Sequence, residues 1–159
     1  MTITIHVIGS LKETYWKEAE KEYLKRLSPY AKVEIVEHPD YPSKEKASLK
    51  EIEATKDKES EKVLAKLHPN DFAVLLDLNK NEYDSISFSK AMEEWFRKGG
   101  SHISFVIGGS YGLSEKLRKR GNASLTLSKF TFTHQMTRIL LLEQIYRSFK
   151  IQNHEPYHK

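Results

Sequence analysis

Residues 103–112 read ISFVIGGSYG, and the fold turns on them. Ile103 to Ile107 are mostly β-branched or aromatic, with Ser104 the one polar break, which is the pattern of a buried strand. The run leads directly into Gly108-Gly109, then Ser110, Tyr111 and Gly112. A short helix is expected from Ser114, where an N-cap hydroxyl precedes an acid in the first turn. Glycines therefore stand at the carboxyl end of a central strand. Ligands bind at that end of open α/β sheets, because backbone without Cβ atoms allows close approach. A tight turn needing positive φ is the other reading of the same residues.

Outward from this strand, Thr2 to Ile8 alternates Ile3, Ile5 and Val7 before Gly9, a strand pattern. Leu11 to Leu27 spaces Tyr15, Ala19, Tyr23 and Leu27 for one helical face, and Ser28-Pro29 stops it. Val33, Ile35 and Val36 give a second strand ended by His38-Pro39. This opening is a βαβ unit and implies a parallel sheet. Tyr41 to Ser48 reads as a loop, and Leu49 to Leu67 as a long helix whose polar middle, Glu53 to Glu61, is expected to face solvent. Phe72 to Leu78 is an apolar run broken only by Asp77, the mark of a strand covered on both faces. Asn79 to Glu82 is a loop, and Ser87 opens a helix through Phe96 that ends at Gly99-Gly100.

Beyond the glycine loop, the short basic helix stops at Gly121-Asn122, and Ala123 to Leu127 is a fifth strand. Ser128 to Thr133 is a loop of hydroxyls and two aromatics. His134 opens a last helix running to about Gln152, apolar at Met136, Ile139, Leu142, Ile145 and Phe149 and widened by Leu140, Leu141 and Tyr146. A helix this apolar is either deeply buried or shared with another subunit, and a homodimer is favoured. The tail after Pro156 is expected to be disordered, although a Tyr157-His158 pair is unusual in a tail without a role. The expectation is one α/β domain over residues 1–159, a mostly parallel sheet with helices on both faces.

Composition narrows the function. With 38% hydrophobic and 30% charged residues the chain is ordinary for a globular protein. No run nears the ~20 apolar residues that span a bilayer. The start, MTITIHVIG, lacks the basic region of a signal peptide, so the cytoplasm is the expected compartment. Without Cys there is no disulfide, thiolate or Cys-ligated metal. The net charge is +4, and Glu115 to Lys159 holds nine Lys/Arg against three acids. Such a basic third suggests an anionic partner, nucleic acid first, with a merely soluble surface as the alternative.

Several motifs are absent. There is no phosphate-binding G-x-x-x-x-G-K-[ST], no G-x-G-x-x-G after the first strand, no G-x-S-x-G, and no zinc-like pairing among the seven His residues. The missing fingerprint, with no acidic residue placed to hold a ribose, disfavours a dinucleotide oxidoreductase. What remains is the glycine loop, the Leu127 to Phe132 loop, and the strand end at Leu76. Three strand ends that converge can surround a flat, partly apolar ligand such as an adenine nucleoside, recognised through backbone groups.

The order IGGSYGL, then SKFTFTHQMTR, then EQIYR and a terminal PYH resembles the SPOUT-class ribosomal RNA large subunit methyltransferase H family, over the whole chain. The resemblance implies a C-terminal trefoil knot, a homodimer, and S-adenosylmethionine bound in the knot. It implies methylation at N3 of a pseudouridine in large-subunit (23S) ribosomal RNA, on the assembled ribosome, without metal or membrane. By position the cofactor contacts fall on Leu76, Gly108, Leu127, Ser128, Lys129, Phe130, Thr131 and Phe132. The family's active site is composite, so Tyr157, His158 and Arg147 of one subunit are expected to serve the other subunit's cofactor, with His134 a further catalytic candidate.

On that reading His158 accepts the N3 proton and Arg147 neutralises the imide oxygens. The alternatives are that Arg147 only pairs with Glu143, that Tyr157-His158 only grips RNA, and that His134 only packs at its helix start. Lys116, Arg118, Lys119, Arg120 and Lys150 are expected to position phosphates. Thr133 stands where the family is expected to carry proline. The competing class is a non-catalytic RNA- or ribosome-binding module with the same fold.

Overall fold

The computed structural model describes residues 1–42 and 44–159; the loop expected at Ser43 lies outside the described residues. Ten elements follow one another: β1 (Thr2–Ile8), α1 (Thr14–Leu27), β2 (Lys32–His38), α2 (Leu49–Lys66), β3 (Phe72–Leu76), α3 (Ser85–Lys98), β4 (His102–Ile107), α4 (Glu115–Arg120), β5 (Ala123–Leu125) and α5 (His134–Gln152). The strands form one sheet in the order β2-β1-β4-β3-β5. Every pairing is parallel, and one row, Ile35–Ile5–Phe105–Val74–Ala123, crosses the whole sheet. The strand before the glycines is thus the central one.

Alternation in β1 sorts the two faces. Ile3, Ile5 and Val7 join Phe105, Val74, Met92, Trp95 and Leu142 in the larger core, which covers the α1, α3 and α5 side. Ile8, Val106, Ala73 and Leu75 pack against Val63 of α2, Leu67 at its C-cap and Leu117 of α4 on the other side. Ser104, the polar break, is fully buried and donates to Asp71 Oδ2 at 3.2 Å, so its hydroxyl keeps a partner.

The structure shifts several boundaries. Helix α1 starts at Thr14, with Leu11 buried in the connection before it. Helix α3 starts at Ser85, because Asp84 takes the N-cap and accepts from the Ser87 amide at 2.7 Å. Strands β3 and β5 end two residues early, at Leu76 and Leu125. There Thr126 leaves the sheet and ties two loops together: its hydroxyl donates to the Asp77 carbonyl at 2.7 Å and accepts from the Lys80 amide at 2.9 Å. The middle of α2 is not uniformly solvated, since Glu59 and Ser60 are buried.

The apolar circumference of α5 is used largely within the chain: Leu141, Leu142, Ile145 and Phe149 are in the core, while Met136 stays exposed. The tail is ordered. His154 adopts φ 53° and the Glu155 amide donates to the Lys150 carbonyl at 2.9 Å, a reversal that turns the chain back along α5. Glu155 fixes it there, accepting from Lys150 Nζ at 2.7 Å and from the Tyr30 hydroxyl at 2.8 Å. Among the described residues no helix is long and apolar enough to cross a membrane.

Candidate active site

A cleft of about 420 Å³ opens at the carboxyl ends of β3, β4 and β5. Leu76, Asp77 and Asn79 come from the first of these ends, Ile107 and Gly108 to Gly112 from the second, and Leu125, Leu127, Ser128, Phe130, Thr131 and Phe132 from the third. His134 and Thr137, at the start of α5, complete the wall. The volume suits a small cofactor, and the lining mixes apolar side chains with backbone polar groups.

The glycine loop owes its form to two constraints. Gly112 has φ +84°, which disfavours any side chain, and its amide closes a turn onto the Gly109 carbonyl at 3.0 Å. At Gly109 a Cβ would lie 2.7 Å from Glu59 Oε2. Both readings of the glycines therefore hold together: they make a tight turn, and that turn lines a cleft.

Of the eight residues expected at a cofactor, Leu76, Gly108, Leu127, Ser128, Phe130, Thr131 and Phe132 meet in this cleft. Lys129 is not among the lining residues and its side chain is exposed. The Ser128 hydroxyl accepts from the Phe130 amide at 3.0 Å, which turns Phe130 out to the rim, 80% exposed. His134 is exposed and lines the cleft; it does not cap α5. That role belongs to Thr133, whose hydroxyl accepts from the Met136 amide at 3.3 Å. Its φ of −61° is also one that proline adopts, so the proline expected at this position would fit the same path but would lack the cap.

A second cluster forms at the far end of α5. Glu143 Oε1 accepts from Arg147 Nη2 at 2.6 Å, from Arg147 Nε at 3.1 Å and from the Tyr157 hydroxyl at 3.0 Å. Arg147 Nη1 lies 3.3 Å from His158 Nδ1, and its guanidinium stacks 4.7 Å from the Tyr157 ring centroid. The hydrogen bond to Glu143 raises the Arg147 guanidinium above its ordinary value. Burial, then the Glu143 hydrogen bond, pushes the Tyr157 phenol up to about 12. The structure thus joins three of the four expected catalytic residues around Glu143. Their pairing was foreseeable only for Arg147, at i+4; the fold supplies the tail.

Two other findings correct the expected basic surface. Arg118 is held by Asp77 Oδ2 at 2.9 Å and Glu115 Oε1 at 2.8 Å, at the wall of the cleft. Arg120 donates to the His68 and Asp71 carbonyls, both at 3.0 Å, and Lys150 is paired with Glu155. Lys116 and Lys119 are left exposed on α4. The paired cations are satisfied internally and serve the fold first. Sequence reasoning also missed Arg138, which is 2% exposed and ties α5 to Glu20 of α1 and Glu37 of β2, each at 3.0 Å. Among the described residues no group of three or more His, Cys, Asp or Glu could hold a metal ion.

A wholly parallel sheet with a glycine-lined cleft at its carboxyl end defines an open α/β protein with a small-ligand site at that end. The family model described as "Predicted SPOUT methyltransferase" matches residues 1–158, and the chain belongs to that family. It is 48% identical over 159 residues to Ribosomal RNA large subunit methyltransferase H 1 of Clostridium perfringens (strain SM101 / Type A), covering all of both chains. The enzyme named Ribosomal RNA large subunit methyltransferase H in Clostridium tetani is 50% identical, and its namesake in Clostridium acetobutylicum 47%, again over the full length of each. SPOUT methyltransferases take their methyl group from S-adenosylmethionine. The cleft fits that group: Leu76, Leu125 and Leu127 offer apolar walls, and Gly108, Gly109 and Gly112 offer backbone without side chains.

Proposed function

We propose that this chain transfers the methyl group of S-adenosylmethionine to N3 of a pseudouridine in large-subunit ribosomal RNA, as a cytoplasmic homodimer acting on the assembled ribosome. The names of the relatives support the RNA substrate. One observation carries the composite site. Thr137 lines the cleft, whereas Arg147 holds the tail ten residues further along α5, a rise of roughly 15 Å. One chain keeps its two clusters apart. A second copy that lays its α5 end over the first cleft brings them together, and the exposed Phe130 at the rim and Met136 on the first turn of α5 support such a contact. We read residues 1–159 as one domain whose C-terminal segment closes a trefoil knot. Membership of the SPOUT family supports that path.

In this reading Leu76, Gly108 and Leu127 to Phe132 hold the cofactor, with Lys129 at the rim. The bound cofactor supplies a methyl group already activated on a sulfonium. The acceptor imide must lose its N3 proton, which spreads negative charge onto the flanking carbonyl oxygens. Arg147 offsets that charge. Tyr157, with its pKa raised, stays protonated near neutrality and donates its O–H to Glu143, which holds its ring against Arg147. Arg147 can only donate, so His158 Nδ1 accepts and its Nε2 presents an N–H. Held this way, His158 donates to an imide oxygen, and the N3 proton passes to solvent. The direct base role requires His158 to leave Arg147.

Single-turnover methyl transfer to ribosomes lacking their native methylations, measured against pH, tests the assignment. A rate rising log-linearly to beyond about pH 8 supports imide ionisation assisted by donors. A rate that does not rise with pH over that range contradicts this and gives the proton to a residue of the chain.

A further inference from the structure

We propose that Glu59 sets the site's preference for the positively charged methyl donor over the uncharged product left after transfer, an inference that rests on the S-adenosylmethionine reading above. Glu59 lies in the second half of α2, where the sequence pattern gives it a solvent-facing place. Instead it is 2% exposed, and its Oε2 has no hydrogen-bond partner among the described residues. Burying a carboxyl with one oxygen unpaired is unfavourable, so packing alone is a poor reason for it.

Its position supplies one. A Cβ on Gly109 would meet Glu59 Oε2 at 2.7 Å and Oε1 at 3.0 Å, so the carboxyl fills the space the glycine leaves. Gly109 itself lines the cleft, and Glu59 does not. One layer of backbone therefore separates this carboxyl from the ligand space. A carboxylate this close acts through little water on whatever charge the cleft holds.

The donor and its product differ in one charge. The donor carries a sulfonium, an ammonium and a carboxylate, and is a net cation. Loss of the methyl group turns the sulfonium into a neutral thioether. An ionised Glu59 attracts the first more than the second, and the reaction itself removes the attraction. The geometry thus favours capture of fresh donor and release of spent product.

Other charged groups face Glu59. Asp40, from the segment after β2, adds negative charge and a side-chain hydrogen bond that favours the protonated carboxyl, and the Tyr41 amide hydrogen-bonds the ionised form. Lys56 and Lys62 stand three residues either side of Glu59 on α2, Lys56 being paired with Glu53. Burial pushes the Glu59 carboxyl up to about 7, the Tyr41 amide opposing and Asp40 adding to the rise. The preference for donor accordingly grows as pH rises through neutrality.

The test is calorimetric binding of S-adenosylmethionine and S-adenosylhomocysteine to the full chain and to Glu59→Gln, at about pH 6 and about pH 8. Comparison of the two proteins cancels titration of the ligands' own amino groups. At about pH 8 the variant is expected to lose about tenfold in donor affinity and nothing in product affinity, with a smaller difference at about pH 6. Asp40→Asn, at an exposed position, is expected to move the pH midpoint of the donor preference downward. Equal loss for both ligands, or an unchanged ratio with an unmoved midpoint in Asp40→Asn, would make Glu59 a purely structural group and overturn the proposal. If the wild-type chain binds neither ligand, the cofactor reading fails first and this inference with it.

Discussion

Two variants that are each inactive should rescue one another when mixed. The first, Thr131→Trp, fills the cleft from its exposed rim; the second lacks Pro156 to Lys159 and with them Tyr157 and His158. Within one chain the cleft and the tail cluster are separated by the ten-residue rise from Thr137 to Arg147, roughly 15 Å, and Glu155 holds the tail at the far end. Neither variant can assemble a site from its own parts or from its own kind. In a mixed dimer, the open cleft of the truncated subunit meets the intact tail of the other. Random pairing of equal amounts makes about half the dimers mixed, each with one good site of two, so about one quarter of wild-type activity should return. The assay is methyl incorporation into ribosomes after the subunits are co-refolded, with each parent alone as control. No recovery, from mixtures shown to contain mixed dimers, would refute the composite site and require the tail to serve its own chain's cleft.

The remaining predictions concern stability. The Glu59 pKa is raised from an ordinary 4.5 to about 7, so the native state holds this proton more tightly than the unfolded chain, and stability is lost as pH rises through that window. Glu59→Gln removes the loss and should be more stable than wild type by up to about 3 kcal/mol at pH 8, with little change at pH 4, in urea titrations. A pH-independent difference would contradict this. His6, 2% exposed and 3.0 Å from His38, has the opposite sign: burial, then His38, lowers it to about 4, so stability falls as pH drops from about 6.5 toward 4. His6→Gln should flatten that acid limb. Arg138→Leu strands Glu20 and Glu37 and should cost about 3 kcal/mol, partly recovered when both carboxylates become Gln; additive losses would sink the pairing. Thr133→Ala should cost about 1 kcal/mol through loss of the N-cap, read as a shift in the denaturation midpoint.

The sheet was largely legible because its signals are local. Alternation at Ile3, Ile5 and Val7, the apolar run from Phe72, and glycines directly after Ile107 each follow from period and turn chemistry within a few residues. The cleft was legible for the same reason, since strand ends in a parallel sheet converge once the strands are known. What escaped depends on contacts between distant segments. Arg118 looks like a free cation until Asp77, forty-one residues away, is brought beside it. Glu59 looks solvated until Gly109 is laid against it. The tail looks disordered until Glu155 meets Tyr30 and Tyr157 meets Glu143. Charged residues carry no periodic mark that tells a buried partner from a wet surface, so sequence pattern alone assigned these to solvent.

The central claim is tested most directly by incubating the chain and labelled S-adenosylmethionine with ribosomes that lack their native methylations, and with naked ribosomal RNA, then identifying the labelled nucleoside by mass spectrometry. Label on N3-methylpseudouridine, from ribosomes only, is the expected result. Label on another nucleoside would contradict the assigned acceptor, and label from naked RNA the ribosomal substrate. No label from a chain that binds RNA but not S-adenosylmethionine would contradict the enzyme itself and leave a binding module with the same fold.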